Sequence, residues 1–194
     1  MSQKNRAALA TRVIHAGQEP DPATGAVVPP LYTATTFVQD GIGKNRGYDY
    51  SRSGNPTRQR VETCLADLEN AAAAFVFPSG LSAASIMVAT LKPGARIVAH
   101  EDLYGGVYRL LAQVAPSMSG VQVDLIDFCD TETLATAARG ADLLWFETPS
   151  NPCLEIIDIE EVSKLAKKKE VLVVVDNVFA TPLLQKPIKL GADI

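Results

Sequence analysis

The sequence lacks the features that mark several large classes of protein. Lys and Arg number 18 against 22 Asp and Glu, so the net charge is −4 and no basic stripe is offered to nucleic acid. No apolar run approaches membrane-spanning length, and the start MSQKNRAALATRV does not have the pattern of a secretory signal. No GK[ST] phosphate loop occurs, and no GxGxxG follows the first predicted strand. Nucleic-acid-binding, membrane-spanning and Rossmann-type nucleotide-binding functions are therefore disfavoured.

Cysteine and histidine are also scarce. The three cysteines, Cys64, Cys129 and Cys153, are odd in number, far apart and outside any CxxC spacing, which favours a reduced, cytoplasmic protein. The two histidines, His15 and His100, do not lie near a cysteine, so no zinc site is predicted and no metal ligand is assigned. A chain of 194 residues with 47% hydrophobic content is long enough to form a domain with a substantial core.

The chain divides into two regions of different pattern. Residues 1–60 are rich in Pro, Gly, Thr and Tyr, and they predict an extended, turn-rich arm. Residues 61–194 are regular, and we treat them as an α/β domain. The apolar spacing predicts helices at 56–68, 81–91, 105–114, 132–138 and 159–168, strands at 73–77, 96–99, 121–126, 143–146 and 171–175, and the entry to one more strand at 191–194.

The alternation of strands and helices predicts an α/β fold with a mainly parallel sheet flanked by helices. The segment VLVVV at 171–175 has no polar alternation, as expected of a strand that is buried on both faces. In such sheets, ligands bind beyond the carboxyl ends of the strands. The residues that follow each predicted strand are therefore the candidates for a functional site.

Two strand-to-helix turns have suggestive residues. Ser79 and Gly80 begin a predicted helix, where free amides favour a phosphate, although Ser79 can equally be an ordinary helix cap. Tyr104 precedes two glycines and offers an aromatic ring that could cover a flat ligand, or could simply pack on the surface. Arg109 follows in the same helix, and it is either a carboxylate-binding group or a surface charge.

Two further strand ends have polar side chains. Asn151 lies in ETPSNP, a rigid turn in which its amide could bond a ligand oxygen or form a plain Asx-turn. Asp176 ends the VLVVV strand with no cation nearby in sequence, and a carboxylate there needs a strong donor or a cation. A protonated heterocyclic nitrogen, such as that of pyridoxal 5′-phosphate (PLP), would satisfy it. A backbone-bonded turn remains the alternative.

In order and spacing, the segments YDYSRSGNPTR, FPSGLSA, DLYGGVYR, ETPSNP and VDNVFATP resemble the Cys/Met-metabolism family of PLP enzymes. The resemblance runs from Thr11 to Ile194. It implies a PLP-dependent transferase large domain of the aspartate-aminotransferase type (fold type I), here truncated. It also implies γ-replacement or γ-elimination on sulfur amino acids or O-acyl-homoserine, as in cystathionine γ-synthase or γ-lyase.

The resemblance assigns a role to each matching position. Tyr104 would stack on the pyridine ring and assist proton transfer, and Asp176 would pair with the ring nitrogen, so both are expected to be catalytic. Asn151 would lie near the ring hydroxyl, and Arg109 near the substrate. The cofactor phosphate would contact Ser79, Gly80 and Leu81, together with Tyr50 and Arg52 of a neighbouring subunit's arm.

The chain also departs from the family pattern. Val178 stands where many members have Thr. The lysine that binds PLP covalently would follow about seven residues after Ile194, by the family's spacing, so we expect residues 1–194 alone to be inactive. The alternative is a truncated, non-catalytic product that at most binds PLP or a partner subunit. The family is usually a dimer of dimers, and the expected partners are therefore an amino-acid substrate and further copies of the chain.

Overall fold

A computed structural model describes residues 8–194, and the predicted alternation of strands and helices is present in it. The chain separates into two units, one ending at Val76 and the other running from Phe77 to Ile194. The whole described part of the turn-rich arm lies in the first unit, and the four-stranded sheet lies in the second. No helix among the described residues is both long and apolar enough to cross a membrane.

The first unit is built around two helices. These are α1 (Leu9–His15) and α2 (Pro56–Glu69), and an ion pair of 2.8 Å between Arg12 Nε and Asp67 Oδ2 joins them. Gly17 has a φ of +69°, and a side chain there would come within 2.8 Å of a carbonyl of α2, so the chain can turn closely past α2 only with glycine. The sequence did not predict α1, whose first turn has no side-chain cap.

Between these helices the first unit is irregular, as the sequence predicts. A short antiparallel pair forms from β1 (Gln39–Gly41) and β2 (Lys44–Asn45). The start of α2 agrees with the sequence prediction, because Asn55 caps it by accepting from the amides of Thr57 and Arg58. Pro56 occupies the first turn, where its missing N–H is not needed.

The second unit is a four-stranded parallel sheet in the order β4-β3-β5-β6. Strand β3 lies between β4 and β5. Because neighbouring strands are parallel, the chain must cross over the sheet between one strand and the next, and each crossover contains a helical segment. The strands are β3 (Arg96–His100), β4 (Gln122–Ile126), β5 (Leu143–Glu147) and β6 (Leu172–Asp176). This confirms the predicted parallel α/β architecture.

Helices lie before, between and after these strands. The segment after β3 begins as α4, passes through one π-helical turn at Leu110–Val114 and ends as α5, so it is longer than the predicted helix. The helices are α3 (Gly80–Thr90), α4 (Gly105–Arg109), α5 (Ala115–Ser119), α6 (Thr131–Ala137), α7 (Ile159–Lys167), α8 (Thr181–Leu184) and α9 (Pro187–Leu190).

The sheet has a hydrophobic core on each face. Alternate strand residues such as Val98, Leu144 and Phe146 pack with side chains of α6 and α7. Their neighbours, such as Ile97 and Trp145, pack with α3, α4 and the turn that follows α4. Both faces of the sheet are therefore buried, as the unbroken apolar strand 171–175 predicts.

The sequence was wrong about one strand and right about the chain end. Residues 73–77 were predicted to form a strand but form none, because no described strand pairs with them, and Phe75 is 77% exposed. An apolar run becomes a strand only when a neighbour completes its hydrogen bonds. At the chain end, the amides of Asp193 and Ile194 donate to the carbonyl of Val173, and Ile194 accepts from Val175. The predicted entry to a further strand is thus present beside β6.

The two-sided core makes a prediction about stability. Leu144 is completely buried in β5, whereas Leu172 of the adjacent strand is 45% exposed. Replacing Leu144 by Ala should lower the free energy of unfolding by about 2–5 kcal/mol, because a cavity remains in a close-packed layer. Leu172→Ala, the matched control, should change it by no more than ~0.5 kcal/mol. Urea denaturation measures both, and equal losses would contradict the two-sided core.

Candidate active site

The carboxyl ends of the parallel strands bring the candidate residues of the second unit to one edge of the sheet. Asp176 is the last residue of β6, and Glu147, its register partner, is the last residue of β5. Tyr104 follows β3, and Asn151 follows β5. Topology alone therefore gathers the aromatic ring, the amide and the carboxylate that the sequence singled out.

Asp176 has one oxygen engaged and one free. Its Oδ1 accepts from the amide of Val178 at 3.1 Å, which is the backbone-bonded turn considered as an alternative. Its Oδ2 receives no hydrogen bond from residues 8–194, and no described cation forms an ion pair with the carboxylate. The turn therefore orients Asp176 but leaves an oxygen for a donor from outside the described chain.

Glu147 lies beside Asp176 and was not singled out from the sequence. The side chain is 2% exposed, and its Oε2 accepts from the backbone amide of Tyr104 at 3.0 Å. Its Oε1 is buried and has no hydrogen-bond partner in the described part of the chain. Burial raises the pKa of Glu147, the bond from the Tyr104 amide offsets this in part, and the negative charges of Asp176 and Asp102 raise it further.

A second carboxylate, from the loop after β3, binds the loop after β5. Asp102, in the loop after β3, accepts from Ser150 Oγ and from the amide of Cys153 at 2.9 Å, both in the loop after β5. Burial alone would raise the pKa of Asp102, but the bonds from Ser150 and Cys153 outweigh it and the pKa is lowered. Asn151 lies between these two donors in sequence, so Asp102 holds the turn that contains it.

The ring of Tyr104 lies against a glycine. Tyr104 is 49% exposed, and a Cβ added at Gly106 would come within 2.5 Å of its Cε1 atom. A Cβ at Gly105 would meet nothing closer than Arg109 Nη1 at 3.6 Å. The second glycine of YGGVYR is therefore the one that makes room for the ring.

Arg109 ends α4 with its side chain exposed, and the π-helical turn begins at the next residue. It forms no ion pair with any residue of the described range. A guanidinium without a carboxylate partner can bind one in two parallel hydrogen bonds. Arg109 is therefore available to a ligand, and its place near the substrate stays a prediction.

Neighbouring residues hold the turn that contains Asn151. The side-chain amide of Asn151 itself makes no hydrogen bond within residues 8–194. This disfavours the plain Asx-turn considered from the sequence. The peptide bonds before Pro149 and Pro152 are both cis. Gln185 Nε2 donates at 2.9 Å to the carbonyl of Thr148 and to Asn177 Oδ1, so the segment after β6 is joined to the same turn.

The first turn of α3 exposes unpaired backbone amides. Ser79 caps the helix by accepting from the amide of Ser82 at 3.1 Å, which confirms the helix-cap interpretation. The amides of Gly80 and Leu81 donate to no other residue between 8 and 194. Helix α3 packs on β3, and the chain runs from the end of α3 to the amino end of β3. The first turn of α3 therefore lies toward the carboxyl edge of the sheet. A cap and a phosphate site are compatible here.

Tyr50 and Arg52 belong to the first unit. The guanidinium of Arg52 lies 4.4 Å from the centre of the Tyr50 ring, in a cation–π contact. Arg52 is exposed and Tyr50 is partly buried. The two side chains therefore stay together as one pair.

His100, at the end of β3, is completely buried and both of its ring nitrogens are engaged. Nδ1 accepts from the amide of Phe128 at 3.2 Å, so the single proton of the neutral ring lies on Nε2, which is 2.9 Å from Glu155 Oε2. The possible ligand atoms of His100, Asp127 and Glu155 lie within 4.8 Å of one another, close enough to surround a metal ion. Because the protein already uses both nitrogens, we assign His100 to holding the loops together.

Comparison with known proteins decides the family. The model of the Cys/Met metabolism PLP-dependent enzymes matches residues 10–194. The chain belongs to this family. It is 46% identical to a cystathionine beta-lyase of Coxiella burnetii over 95% of the chain and 48% of that protein. It is 45% identical to a probable cystathionine gamma-synthase of Herpetosiphon aurantiacus over 96% of the chain and 58% of that protein.

Solved structures share the fold. The metB protein of Corynebacterium glutamicum superposes with a TM-score of 0.93 at 42% identity, over 98% of this chain and 50% of that one. A cystathionine gamma-lyase of Lactobacillus plantarum, complexed with L-serine, gives a TM-score of 0.91 at 39% identity, over 96% and 49%. The chain thus spans about half the length of most of these relatives. These relatives confirm the recognised family.

The groups that have no partner among residues 8–194 fit PLP, the family's cofactor. The phosphate suits the free amides of Gly80 and Leu81, and the ring nitrogen suits Oδ2 of Asp176. The exposed ring of Tyr104 suits the face of the pyridine. In the described part of the chain, each of these groups lacks a partner of the kind that PLP would provide.

Sequence reasoning missed the two carboxylates that link the loops. Glu147 directly follows the apolar strand LLWF, the same signal that drew attention to Asp176, but it was considered only as part of ETPSNP. Asp102 gave no local signal, since its partners Ser150 and Cys153 lie about fifty residues away in sequence. Its role depends on the pairing of β3 with β5.

The contact between Tyr104 and Gly106 generates a prediction. Gly106→Ala should rotate the Tyr104 ring out of its position, because the new methyl group would overlap the ring. Gly105→Ala should leave the ring in place. Fluorine NMR on fluorotyrosine-labelled protein, with the resonance assigned through Tyr104→Phe, measures this. A Tyr104 resonance that shifts equally in both variants would contradict the contact.

Proposed function

We propose that the protein that contains this chain is a PLP-dependent trans-sulfuration enzyme. It acts on sulfur amino acids or O-acyl-homoserine by γ-replacement or γ-elimination, as the names of its relatives support. One observation carries the proposal: Asp176, at the end of a strand buried on both faces, has an oxygen that accepts no hydrogen bond from residues 8–194, and its register partner Glu147 holds the Tyr104 amide. Because relatives include beta-lyases, β-elimination belongs in the same test.

The residues of this chain would divide the work. Bound PLP would supply an electron sink that stabilises negative charge on the α-carbon of the substrate. Asp176 would keep the ring nitrogen protonated, and Tyr104 would lie against the ring and help to move a proton. Asn151 would donate to the ring hydroxyl, and Arg109 would hold a substrate carboxylate through its two-pronged guanidinium.

The phosphate would be held from two sides. The amides of Gly80 and Leu81, with Ser79, would bind it at the start of α3. Tyr50 and Arg52 would approach it from the arm of a neighbouring subunit, so that each complete site needs two chains. We therefore propose that residues 1–60 act as an exchanged arm and residues 61–194 as the PLP-binding domain of a dimer of dimers. The three free thiols, Cys64, Cys129 and Cys153, support a cytoplasmic location.

Asp176 gives the test of the reaction. Asp176→Asn should lower kcat by about 100-fold or more, because a neutral amide cannot stabilise the protonated ring nitrogen. Turnover is measured with cystathionine, O-succinyl-homoserine and methionine as substrates. Asp142→Asn is the matched control, since Asp142 lies at the opposite end of β5 and accepts from the Arg96 amide at 2.8 Å, which an amide oxygen can also do. It should retain full activity.

The same assay also separates the chain from the longer protein. Residues 1–194 alone should show no turnover, because we propose that the PLP-binding lysine lies after Ile194. Full activity of Asp176→Asn, or turnover of none of the substrates by the longer protein, would contradict the proposed function.

The exchanged arm can be tested by mixing two inactive variants. If Arg52 serves the partner's site, a hybrid dimer of Arg52→Ala and Asp176→Asn chains contains one doubly defective site and one intact site. Random mixing should then restore about a quarter of the wild-type activity, since half of the dimers are hybrids with one working site. If Arg52 serves its own chain, every hybrid site keeps one defect and the mixture stays inactive.

A further inference from the structure

We propose that Glu147 is a positioning residue of the site, which holds the backbone amide of Tyr104 and thereby sets where the Tyr104 ring meets the cofactor. This rests on the proposed function, because the ring position matters only if a planar cofactor lies beside it. The role requires a hydrogen-bond acceptor at this place, and it does not require a negative charge.

The geometry gives Glu147 a rigid place from which to act. It is the last residue of β5, 2% exposed, and its neighbours in register are held in a sheet covered on both faces. Its Oε2 reaches the amide of Tyr104 at 3.0 Å. Tyr104 is the residue before α4, so fixing its amide fixes the direction in which the chain enters that helix.

The contact acts on the same side chain that Gly106 accommodates. The ring lies over Gly106, and the amide of the same residue is anchored in β5 through Glu147. A residue that is 49% exposed would otherwise be free to change rotamer. Anchoring the backbone at one end and providing a flat glycine surface at the other leaves the ring a narrow range of positions.

The surroundings of Glu147 show why a negative charge is not needed for its hydrogen bond to the Tyr104 amide. Its Oε1 is buried without a partner among residues 8–194, a costly arrangement for a charged carboxylate. The other charged groups that face it are the carboxylates of Asp176 on β6 and Asp102 in the loop after β3, and both disfavour a further negative charge. A Gln side chain could therefore perform the same function.

The experiment compares Glu147→Gln with Glu147→Leu in the full-length protein after its PLP has been removed. The probe is 4′-deoxypyridoxine 5′-phosphate, which lacks the aldehyde and so reports non-covalent contacts only. Glu147→Gln keeps an acceptor and should bind the probe as the wild type does. Glu147→Leu, which is similar in size but has no acceptor, should weaken binding about tenfold, the value of one lost hydrogen bond.

Repeating both variants in a Tyr104→Ala background separates positioning from general damage. If Glu147 acts through the ring, Glu147→Leu should have no further effect on probe affinity once the ring is absent. An equal loss in both backgrounds, or an equal loss for Gln and Leu, would overturn the proposal. Failure of the wild type to bind the probe would instead overturn the proposed function, and this role with it.

A second measurement does not depend on whether Glu147→Leu folds. The native pKa of Glu147 is raised, so wild-type stability should fall as pH rises from the unfolded value of about 4.3 through the raised native value. Glu147→Gln should lack this fall. The fluorine resonance of Tyr104 should shift over the same pH range in the wild type and not in Glu147→Gln. A resonance that behaves alike in the two proteins would overturn the proposal.

Discussion

Burial of both faces of the parallel sheet is the constraint on which the site depends. Residues that alternate along β3, β5 and β6 enter one core or the other, so the interior of the sheet has no place for an unpaired charge. Charged side chains are compatible with these strands only at their ends. The three strands are parallel, and the acids and the aromatic ring that follow them therefore meet at a single edge.

At that edge, two carboxylates hold two loops in fixed relation. Glu147 belongs to β5 and binds the loop after β3, while Asp102 belongs to the loop after β3 and binds the loop after β5. The two carboxylates differ in protonation behaviour for a clear reason. Burial raises the pKa of Glu147, and its one donor offsets this only in part, whereas the donors of Ser150 and Cys153 outweigh burial at Asp102 and lower its pKa. The reciprocal ties give both loops the rigidity of the strands.

The fold and the place of most candidate residues at the strand ends could be predicted because their signals are local. The VLVVV strand, the cap at Ser79 and the glycines after Tyr104 each follow from a few adjacent residues. What could not be predicted depends on partners distant in sequence. Residues 73–77 have the composition of a strand but lack a described neighbour, and Asp102 acquires its function only when β3 and β5 are paired. Helix α1 was missed because it begins without a capping side chain.

The groups of the second unit that have no partner among the described residues indicate the charge of the ligand that they would accept. The amides that begin α3 and the guanidinium of Arg109 favour a negatively charged group. The second oxygen of Asp176 favours a proton donor or a cation. A simple anion would satisfy the first two and leave Asp176 opposed by repulsion. A simple cation would bind Asp176 and would be repelled by Arg109. PLP, the family's cofactor, combines an anionic phosphate with a protonated ring nitrogen, so its charge pattern is complementary to both kinds of group at this edge of the sheet.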